Sequence, residues 1–403
     1  MLFRSNLQIG TYQGSGVGLG SGGDAVNLYD GSGNLKANVT FGSSPGASPF
    51  ATFDNSAGAS SVSTLSVAGV KGAYSVTDTT STQIGSPGKT ANYQLQLLHY
   101  YGESGLLSVQ TAPIMGALID KFDDQYTNTL ILGEGDSYIP GPWLVGGADP
   151  SLNGVPGIGS TALGRPDIAI MNAFGTNASA LGNHEFDLGS PVLQSAIQAS
   201  GTWVGAQFPL ITANLDFSAD SSLRSLADKT LGGTSTNNFA GQEASSIKGK
   251  IAPYAVVTKS GEKIGLVGAT TYDLLSKSSP NGTVPKDDNN PSTSDLQEVA
   301  AYIQGSVDAL KAMGINKIIM VDQLDTLDRN KALAPLVSGI DVMVAGGGHE
   351  RMGDATDIAV GFNGHTADFI SDAYPIVTAG ADGKPTLIVT TDTEYTYLGR
   401  LVV

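Results

Sequence analysis

Polar and apolar residues alternate with a period of two through the first part of the chain, a pattern typical of half-buried β-strands. Two such runs, Asp24–Tyr29 and Leu35–Phe41, flank a Gly- and Asn-rich turn at residues 30–34. This combination predicts a β-hairpin. Shorter strands are predicted at residues 63–67 and 73–76, and helical periodicity is absent from this segment. The predicted class of the segment is therefore an antiparallel β-sandwich.

Apolar runs and helical patterns alternate through the rest of the chain, which indicates an α/β layered fold. Buried strands are predicted at residues 94–98, 129–132, 210–214, 252–257, 263–267, 317–321, 341–345 and 386–390. Amphipathic helices are predicted at residues 114–122, 192–199, 296–313 and 331–337. Functional residues of such folds follow the carboxyl ends of strands, so we expect the chemistry to lie in the loops after these strands.

The distribution of charge predicts the domain boundary. Four basic and four acidic residues cancel in residues 1–89, so the whole net charge of −16 belongs to residues 90–403. We therefore predict two domains that meet at residue 89. The acidic balance argues against a nucleic acid polymer or an anionic membrane as partner, and no apolar run is long enough to predict a membrane span.

The chain contains no cysteine, which excludes disulfides, thiolate metal sites and a cysteine nucleophile. Its composition is rich in Ser, Thr, Gly and Asn, and it predicts an extracellular or cell-surface location. No signal sequence is visible at the start of the chain, so this location implies a leader that has been removed or lies outside the sequence.

One loop concentrates polar side chains in a chain that has only four histidines. Residues 180–187 read Ala-Leu-Gly-Asn-His-Glu-Phe-Asp, and they precede a predicted helix. An Asn oxygen such as that of Asn183 can bind a hard cation. His184 could protonate a leaving group, and Asp187 could orient the imidazole ring of His184.

Other polar residues have structural interpretations. His99 ends a predicted strand, and we expect it to be packed rather than to bind a ligand. His365 lies in a loop without a supporting polar cluster, and we expect it to be exposed. Asp149 and Asp167 are expected to be solvated loop charges.

The segment GNHEFD, with the upstream Gly135-Asp136, resembles the calcineurin-like metallophosphoesterases, specifically the secreted 5′-nucleotidase type. Further segments fit the same family: LQLLH, NTLILGEGDSYIPGPWL, ANLDFS, GEKIGLVGATT and GIDVMVAGGGHE. The match spans residues 94–402. It implies a four-layer α/β sandwich, with central β-sheets flanked by helices, and hydrolysis of phosphomonoesters or nucleotides.

The resemblance also implies a site with two divalent metals bridged by one Asp, which activate water and stabilise the phosphoryl oxygens. The bridging Asp corresponds to Asp136, and the Asn ligand corresponds to Asn183. The catalytic pair corresponds to His184 and Asp187. The last His of the final motif corresponds to His349.

The remaining ligand positions depart from the family pattern. The first motif, normally Asp-x-His, reads His-Tyr-Tyr-Gly-Glu-Ser-Gly at residues 99–105, so Glu103 is the only carboxylate available there. The mid-domain His position reads Asp322-Gln323, and the first His of the final motif falls on three glycines at residues 346–348. Carboxylate or amide oxygens in place of imidazole would favour Ca²⁺, Mg²⁺ or Mn²⁺ over Zn²⁺.

A properly formed two-metal pair is therefore not expected. The sequence leaves open one divalent ion, held by Glu103, Asp136 and His349, or no ion at all. Asp322 and Gln323 remain candidate substitute ligands.

The N-terminal segments GDAVNLYDGSGNLKANVTFG and IGSPG resemble the lamin-tail domain, an immunoglobulin-like sandwich. That family has earlier strands, so either the natural protein starts upstream of Met1 or another chain completes the sheet. The domain could serve adhesion and assembly, or it could be an inert spacer.

Two functions remain open at this stage. The first is an extracellular metal-dependent phosphoesterase that hydrolyses nucleotides or other phosphomonoesters. The second is a non-catalytic extracellular structural protein that reuses the phosphoesterase fold, a pseudoenzyme that assembles through the open edge of its N-terminal sandwich.

Overall fold

The structure is a computed structural model of the chain, and it describes residues 22–29, 33–54, 60–68, 73–77, 80–85, 93–286, 295–353, 356–359 and 372–403. The chain divides into two compact units, a smaller one within Asn6–Gln94 and a larger one that runs from Leu95 to Val403. His365 and residues 30–32 of the expected turn lie outside the described residues.

The strands described in the smaller unit form two three-stranded sheets. Its strands are β1 (Asp24–Tyr29), β2 (Leu35–Phe41), β3 (Phe50–Ala51), β4 (Ser61–Val62), β5 (Tyr74–Thr77) and β6 (Thr82–Gly85). The sheets have the orders β1-β2-β4 and β3-β6-β5, and β1 pairs with β2 as the expected antiparallel hairpin.

Two pairings of the smaller unit differ from the prediction, because β2 pairs with β4 and β3 pairs with β6 in parallel. The purely antiparallel arrangement is therefore wrong for these strands. Alternation of polar and apolar residues reports which face of a strand is buried, but not the direction of its partner. The strand expected at residues 63–67 is also absent, and Leu65 forms an isolated bridge to Phe53 instead.

In the described residues of the larger unit, the strands form two six-stranded sheets and a two-stranded ribbon. The first sheet has the order β12-β10-β9-β8-β7-β20, and the second has the order β13-β14-β16-β17-β19-β18. Their strands, with the ribbon β11-β15, are β7 (Gln96–Tyr100), β8 (Thr129–Gly133), β9 (Ala178–Ala180), β10 (Leu210–Ile211), β11 (Leu215–Asp216), β12 (Ile251–Ala252), β13 (Tyr254–Lys259), β14 (Glu262–Thr270), β15 (Val284–Pro285), β16 (Ile318–Gln323), β17 (Val342–Gly346), β18 (Ile376–Ala379), β19 (Pro385–Val389) and β20 (Gly399–Val402).

Helices cover one side of each six-stranded sheet. They are α1 (Ser108–Asp123), α2 (Pro142–Gly146), α3 (Arg165–Ala173), α4 (Ser190–Ile197), α5 (Leu274–Lys277), α6 (Leu296–Ala312) and α7 (Leu327–Leu333). One apolar core joins α1, α3 and α4 to the first sheet, and a second core joins α6 and α7 to the second sheet.

The two sheets lie against each other, which gives the layer order helices, sheet, sheet, helices. Glycine permits the close approach: a Cβ at Gly268 of the second sheet would lie 2.4 Å from the carbonyl oxygen of Ile211 in the first. A Cβ at Gly346 would lie 2.1 Å from the carbonyl oxygen of Glu134. The central strands of both sheets are parallel, so their carboxyl ends share one edge of the sandwich.

The helix α3 was not predicted, and its Asp167 corrects the expectation of a solvated charge. Asp167 is buried in the first turn of α3, where its Oδ1 accepts a hydrogen bond of 2.7 Å from the indole nitrogen of Trp143. Burial raises the pKa of Asp167 to about 7, well above its ordinary value. The folded chain therefore retains a proton that the unfolded chain loses between about pH 4 and pH 7.

This shift predicts how Asp167→Asn changes stability. The favourable contribution of the Asp167 proton is fully present below pH 4 and is lost as the pH rises through 7. Asn removes the buried charge and can still accept a hydrogen bond from Trp143. The unfolding free energy of the variant, relative to that of the wild type, therefore increases by about 1.4 kcal/mol per pH unit between about pH 4 and pH 7. Urea unfolding in the presence of a chelator, at pH 5 and pH 8, measures the effect. An equal difference between variant and wild type at both pH values would contradict the assignment.

Candidate functional site

The candidate site lies at the shared edge where parallel strands end. Glu103 follows β7, Asp136 follows β8, and the loop with Asn183 and His184 follows β9. From the second sheet, His349 follows β17. The fold thus gathers residues that are up to 246 positions apart in the sequence.

Three of these side chains form a group that could hold a metal ion. One oxygen each of Glu103 and Asp136 and one ring nitrogen of His184 lie within 4.8 Å of one another. His349 joins this group through Glu103, whose carboxylate lies 3.0 Å from His349 Nε2. Asp322 is not brought into the group, because both of its oxygens accept hydrogen bonds of 2.9 Å from Asn330 on α7.

The backbone of the site is held in an unusual conformation. Glu103, Asp136 and His349 have φ values of 42°, 46° and 56°, a left-handed region that non-glycine residues rarely adopt. Each such residue costs on the order of 1–3 kcal/mol, and such residues concentrate at functional sites. The strain at three candidate ligands is an observation in favour of a function for this edge of the sandwich.

Hydrogen bonds fix Asp136 in place. Its Oδ1 accepts from the backbone N–H of His184 at 3.0 Å, and its Oδ2 accepts from the hydroxyl of Tyr101 at 2.6 Å. Burial and the nearby carboxylate of Glu185 raise the pKa of Asp136 to about 8. A negative charge at this depth is unfavourable, and a bound cation would stabilise it.

His184 and Asp187 form the pair that the sequence suggested. His184 Nδ1 lies 2.6 Å from Asp187 Oδ2, and the hydroxyl of Ser278 donates to Asp187 Oδ1 at 2.6 Å. Burial alone would lower the pKa of His184, but the hydrogen bond to Asp187 and the carboxylate of Asp136 outweigh it and raise the pKa to about 9. The ring therefore carries a proton at neutral pH, and its orientation is fixed by Asp187.

The amide side chains lie beside the group. Gln323 Nε2 donates to Asn183 Oδ1 at 2.8 Å, so these two candidate ligands contact each other. The Oε1 atom of Gln323 is buried without a hydrogen-bond partner. An orphaned amide oxygen is a suitable ligand for a hard divalent cation, and the carboxylate, imidazole and amide donors of the site together fit the metal that the resemblance implies.

Sequence reasoning missed two residues of the site. Glu185 is buried, and its carboxylate accepts from the backbone N–H groups of Asp136, Ser137 and Gly182, which ties the loop after β8 to the loop after β9. Tyr101 is buried, and it bridges Asp136 and Glu103 through its hydroxyl. Tyr101 lies within residues 99–105, which depart from the family motif. This departure was the sequence signal that could have marked Tyr101 as a residue of the site.

His99 is packed, as expected for a histidine at the end of a strand. It is fully buried, with Nδ1 2.6 Å from Glu134 Oε1 and Nε2 2.7 Å from the hydroxyl of Tyr374. A Cβ at Gly399 on the neighbouring strand would lie 2.1 Å from its ring. His99 therefore contributes to the sandwich interior rather than to the candidate site.

Comparison with solved structures shows that the fold is similar to that of nucleotidases. The 5′-nucleotidase precursor of Thermus thermophilus matches 77% of the chain with 25% identity and a TM-score of 0.55, over 51% of its own length. The NAD nucleotidase of Haemophilus influenzae matches 77% of the chain with 23% identity and a TM-score of 0.54, over 47% of its own length.

Sequence comparison shows that the chain is homologous to 5′-nucleotidases. The bovine 5′-nucleotidase is 30% identical over 233 residues, which are 58% of the chain and 33% of the bovine protein. The snake venom 5′-nucleotidase of Gloydius brevicauda is 27% identical over 69% of the chain and 37% of its own length. The chain thus spans about a third of the length of these relatives. No protein-family model matches the chain.

None of the helices in the described part of the chain combines the length and apolarity required to cross a membrane.

Proposed function

We propose that the larger unit is a metal-dependent phosphoesterase that hydrolyses nucleotides or other phosphomonoesters. The observation that carries the proposal is the contact of 2.6 Å between His184 Nδ1 and Asp187 Oδ2, with the His184 ring beside the carboxylates of Glu103 and Asp136. Homology to 5′-nucleotidases supports the substrate class.

In the proposed reaction the chain's own residues bind the ion and move one proton. Glu103 and Asp136 would hold a divalent cation, with further oxygen donors from Asn183 and Gln323. The bound ion would stabilise charge on the phosphoryl oxygens and lower the pKa of a water molecule. These oxygen donors favour Mg²⁺, Mn²⁺ or Ca²⁺ over Zn²⁺.

His184 would donate its proton to the leaving oxygen of the ester. The neighbouring carboxylates raise the pKa of His184, which favours the protonated ring, and Asp187 with Ser278 holds the ring in one orientation. His349, hydrogen-bonded to Glu103 and partly exposed, would contact the phosphoryl group or the ion at the entrance of the site.

The proposed role of His184 predicts the result of His184→Gln. Loss of a general acid lowers kcat by about 100-fold or more, whereas Mn²⁺ binding through the two carboxylates persists. The measurement is phosphate release from p-nitrophenyl phosphate by the purified chain with added Mn²⁺, and equilibrium dialysis reports the bound ion. A variant that retains the wild-type kcat would exclude His184 as the proton donor.

We further propose an extracellular or cell-surface location, in line with relatives that are venom enzymes. The smaller unit, whose sequence resembles a lamin-tail domain, would then serve adhesion and assembly or act as an inert spacer. The non-catalytic alternative predicts a different outcome of the same experiment: no phosphate release with any divalent ion, and ordered assemblies in electron micrographs.

A further inference from the structure

Tyr101 occupies a position between the two carboxylates of the candidate metal centre. Its side chain is buried, and its hydroxyl oxygen lies 2.6 Å from Asp136 Oδ2 and 3.0 Å from Glu103 Oε1. A tyrosine hydroxyl carries a proton at neutral pH and can donate one hydrogen bond. The hydroxyl therefore brings one shared proton to two buried carboxylates that would otherwise repel each other.

Asp136 Oδ2 and Glu103 Oε1 cannot both bind a cation on the side where the Tyr101 hydroxyl lies. A divalent ion that bridged them would lie about 2.0–2.6 Å from each oxygen, in space that the Tyr101 hydroxyl already fills. The other oxygen of Asp136 also receives a donor, the backbone N–H of His184. Asp136 is thus hydrogen-bonded at both oxygens before any ion binds.

Apart from Gln323 Oε1, which has no hydrogen-bond partner, the polar side chains near the ends of β9 and β16 are engaged with one another. Asn183 Oδ1 accepts from Gln323 Nε2, and Gln323 also donates to Asp325. Asp322 is held by Asn330. Among the described residues, the donor atoms that remain close together are those of a single group, which contains Glu103, Asp136 and His184.

We propose that the hydroxyl of Tyr101 acts as a built-in bridge between Glu103 and Asp136, which takes the place of a second cation and limits the centre to one divalent ion. The inference rests on the proposed function in that it takes Glu103 and Asp136 as ligands of the metal centre. It adds that Tyr101 is a positioning residue that sets the number of ions.

Tyr101→Phe is the direct test, because it removes the hydroxyl and keeps the ring. Without the shared proton, the variant should bind a second Mn²⁺. The dissociation constant of this second ion should be at least about tenfold lower than that of any second ion bound by the wild type. Its metal-free form should also melt at a lower temperature, because two buried carboxylates lose their common donor.

Tyr100→Phe is the matched control. Tyr100 is the preceding residue, is equally buried, and its hydroxyl is hydrogen-bonded at 2.6 Å to Thr176, away from the carboxylates. This variant loses a buried hydroxyl of the same type and should keep the wild-type stoichiometry of one Mn²⁺.

Equilibrium dialysis against Mn²⁺, followed by elemental analysis of metal per chain, distinguishes the outcomes. One ion in wild type and Tyr100→Phe, with two in Tyr101→Phe, supports the inference. Two ions in the wild type overturn the inference, whether or not Tyr101→Phe folds. A single ion in folded Tyr101→Phe, as in the wild type, also overturns the inference. Wild-type protein that binds no Mn²⁺ overturns the proposed function as well, whereas two ions with phosphatase activity overturn the inference alone.

Discussion

Asp136→Asn is expected to weaken Mn²⁺ binding by at least about 100-fold and to reduce phosphate release to background. Asp136 is buried and belongs to the group with Glu103 and His184 that could hold a metal ion. Asn replaces one of the two carboxylate oxygens of Asp136 by an NH2 group, which cannot bind a cation. Loss of a charged ligand removes both the attraction to a cation and one coordination position. Isothermal titration with Mn²⁺ and a phosphate-release assay measure the two effects.

Asp167→Asn is the matched control for this experiment. Asp167 is another buried carboxylate of the first half of the larger unit, but it lies outside the donor group. The control should bind Mn²⁺ as the wild type does. Equal loss of Mn²⁺ binding in both variants would show a general effect of neutralising a buried carboxylate, and retained binding in Asp136→Asn would contradict the proposed centre.

Gly182→Ala is expected to disrupt the site from the neighbouring loop. A Cβ at Gly182 would lie 2.1 Å from Asp136 Oδ1 and 2.7 Å from its backbone nitrogen, so Asp136 must move. Overpacking of this kind costs on the order of 1–3 kcal/mol. The N–H of Gly182 also donates to Glu185 at 2.8 Å, which leaves the loop little freedom to relax. We therefore expect a lower melting temperature and at least about tenfold weaker Mn²⁺ binding.

Gly305→Ala separates this effect from the general consequences of replacing a glycine. Gly305 lies inside α6, and a Cβ there would meet no atom within 4 Å. Alanine favours a helix over glycine by about 1 kcal/mol, so this control should raise the melting temperature and leave Mn²⁺ binding unchanged. If Gly182→Ala behaved like Gly305→Ala, the close contact with Asp136 would be refuted.

Much of the larger unit could be predicted from its sequence, because buried parallel strands have continuous apolar runs. The predicted strand at residues 129–132 and the predicted helix at residues 296–313 agree with β8 and α6 to within one residue at each end. Asp295 caps α6 by accepting from two backbone N–H groups, a local signal that a sequence can contain.

Other elements lacked such a local signal. The helix α3 is short and has Arg and Pro in its first turn, and α1 starts six residues before the predicted residue 114. The parallel pairings of the smaller unit depend on strands that are distant in the sequence. Patterns of burial along one strand do not determine these partners.

The candidate site was predictable in part. The loop at residues 180–187 is one dense cluster, and the structure confirms the contact between His184 and Asp187. Tyr101 and Glu185 were not assigned, because their roles arise from hydrogen bonds between loops on different strands. Such contacts depend on the relative placement of separate loops, which residue types alone do not specify.

The measurement that tests the central claim most directly is a titration of Mn²⁺ into chelator-treated protein, with phosphate release from AMP as the readout. The account predicts no release without metal, a rise that saturates at one Mn²⁺ per chain, and no rise in Asp136→Asn. Absence of phosphate release at every Mn²⁺ concentration, in folded protein that binds the ion, would contradict the proposed phosphoesterase.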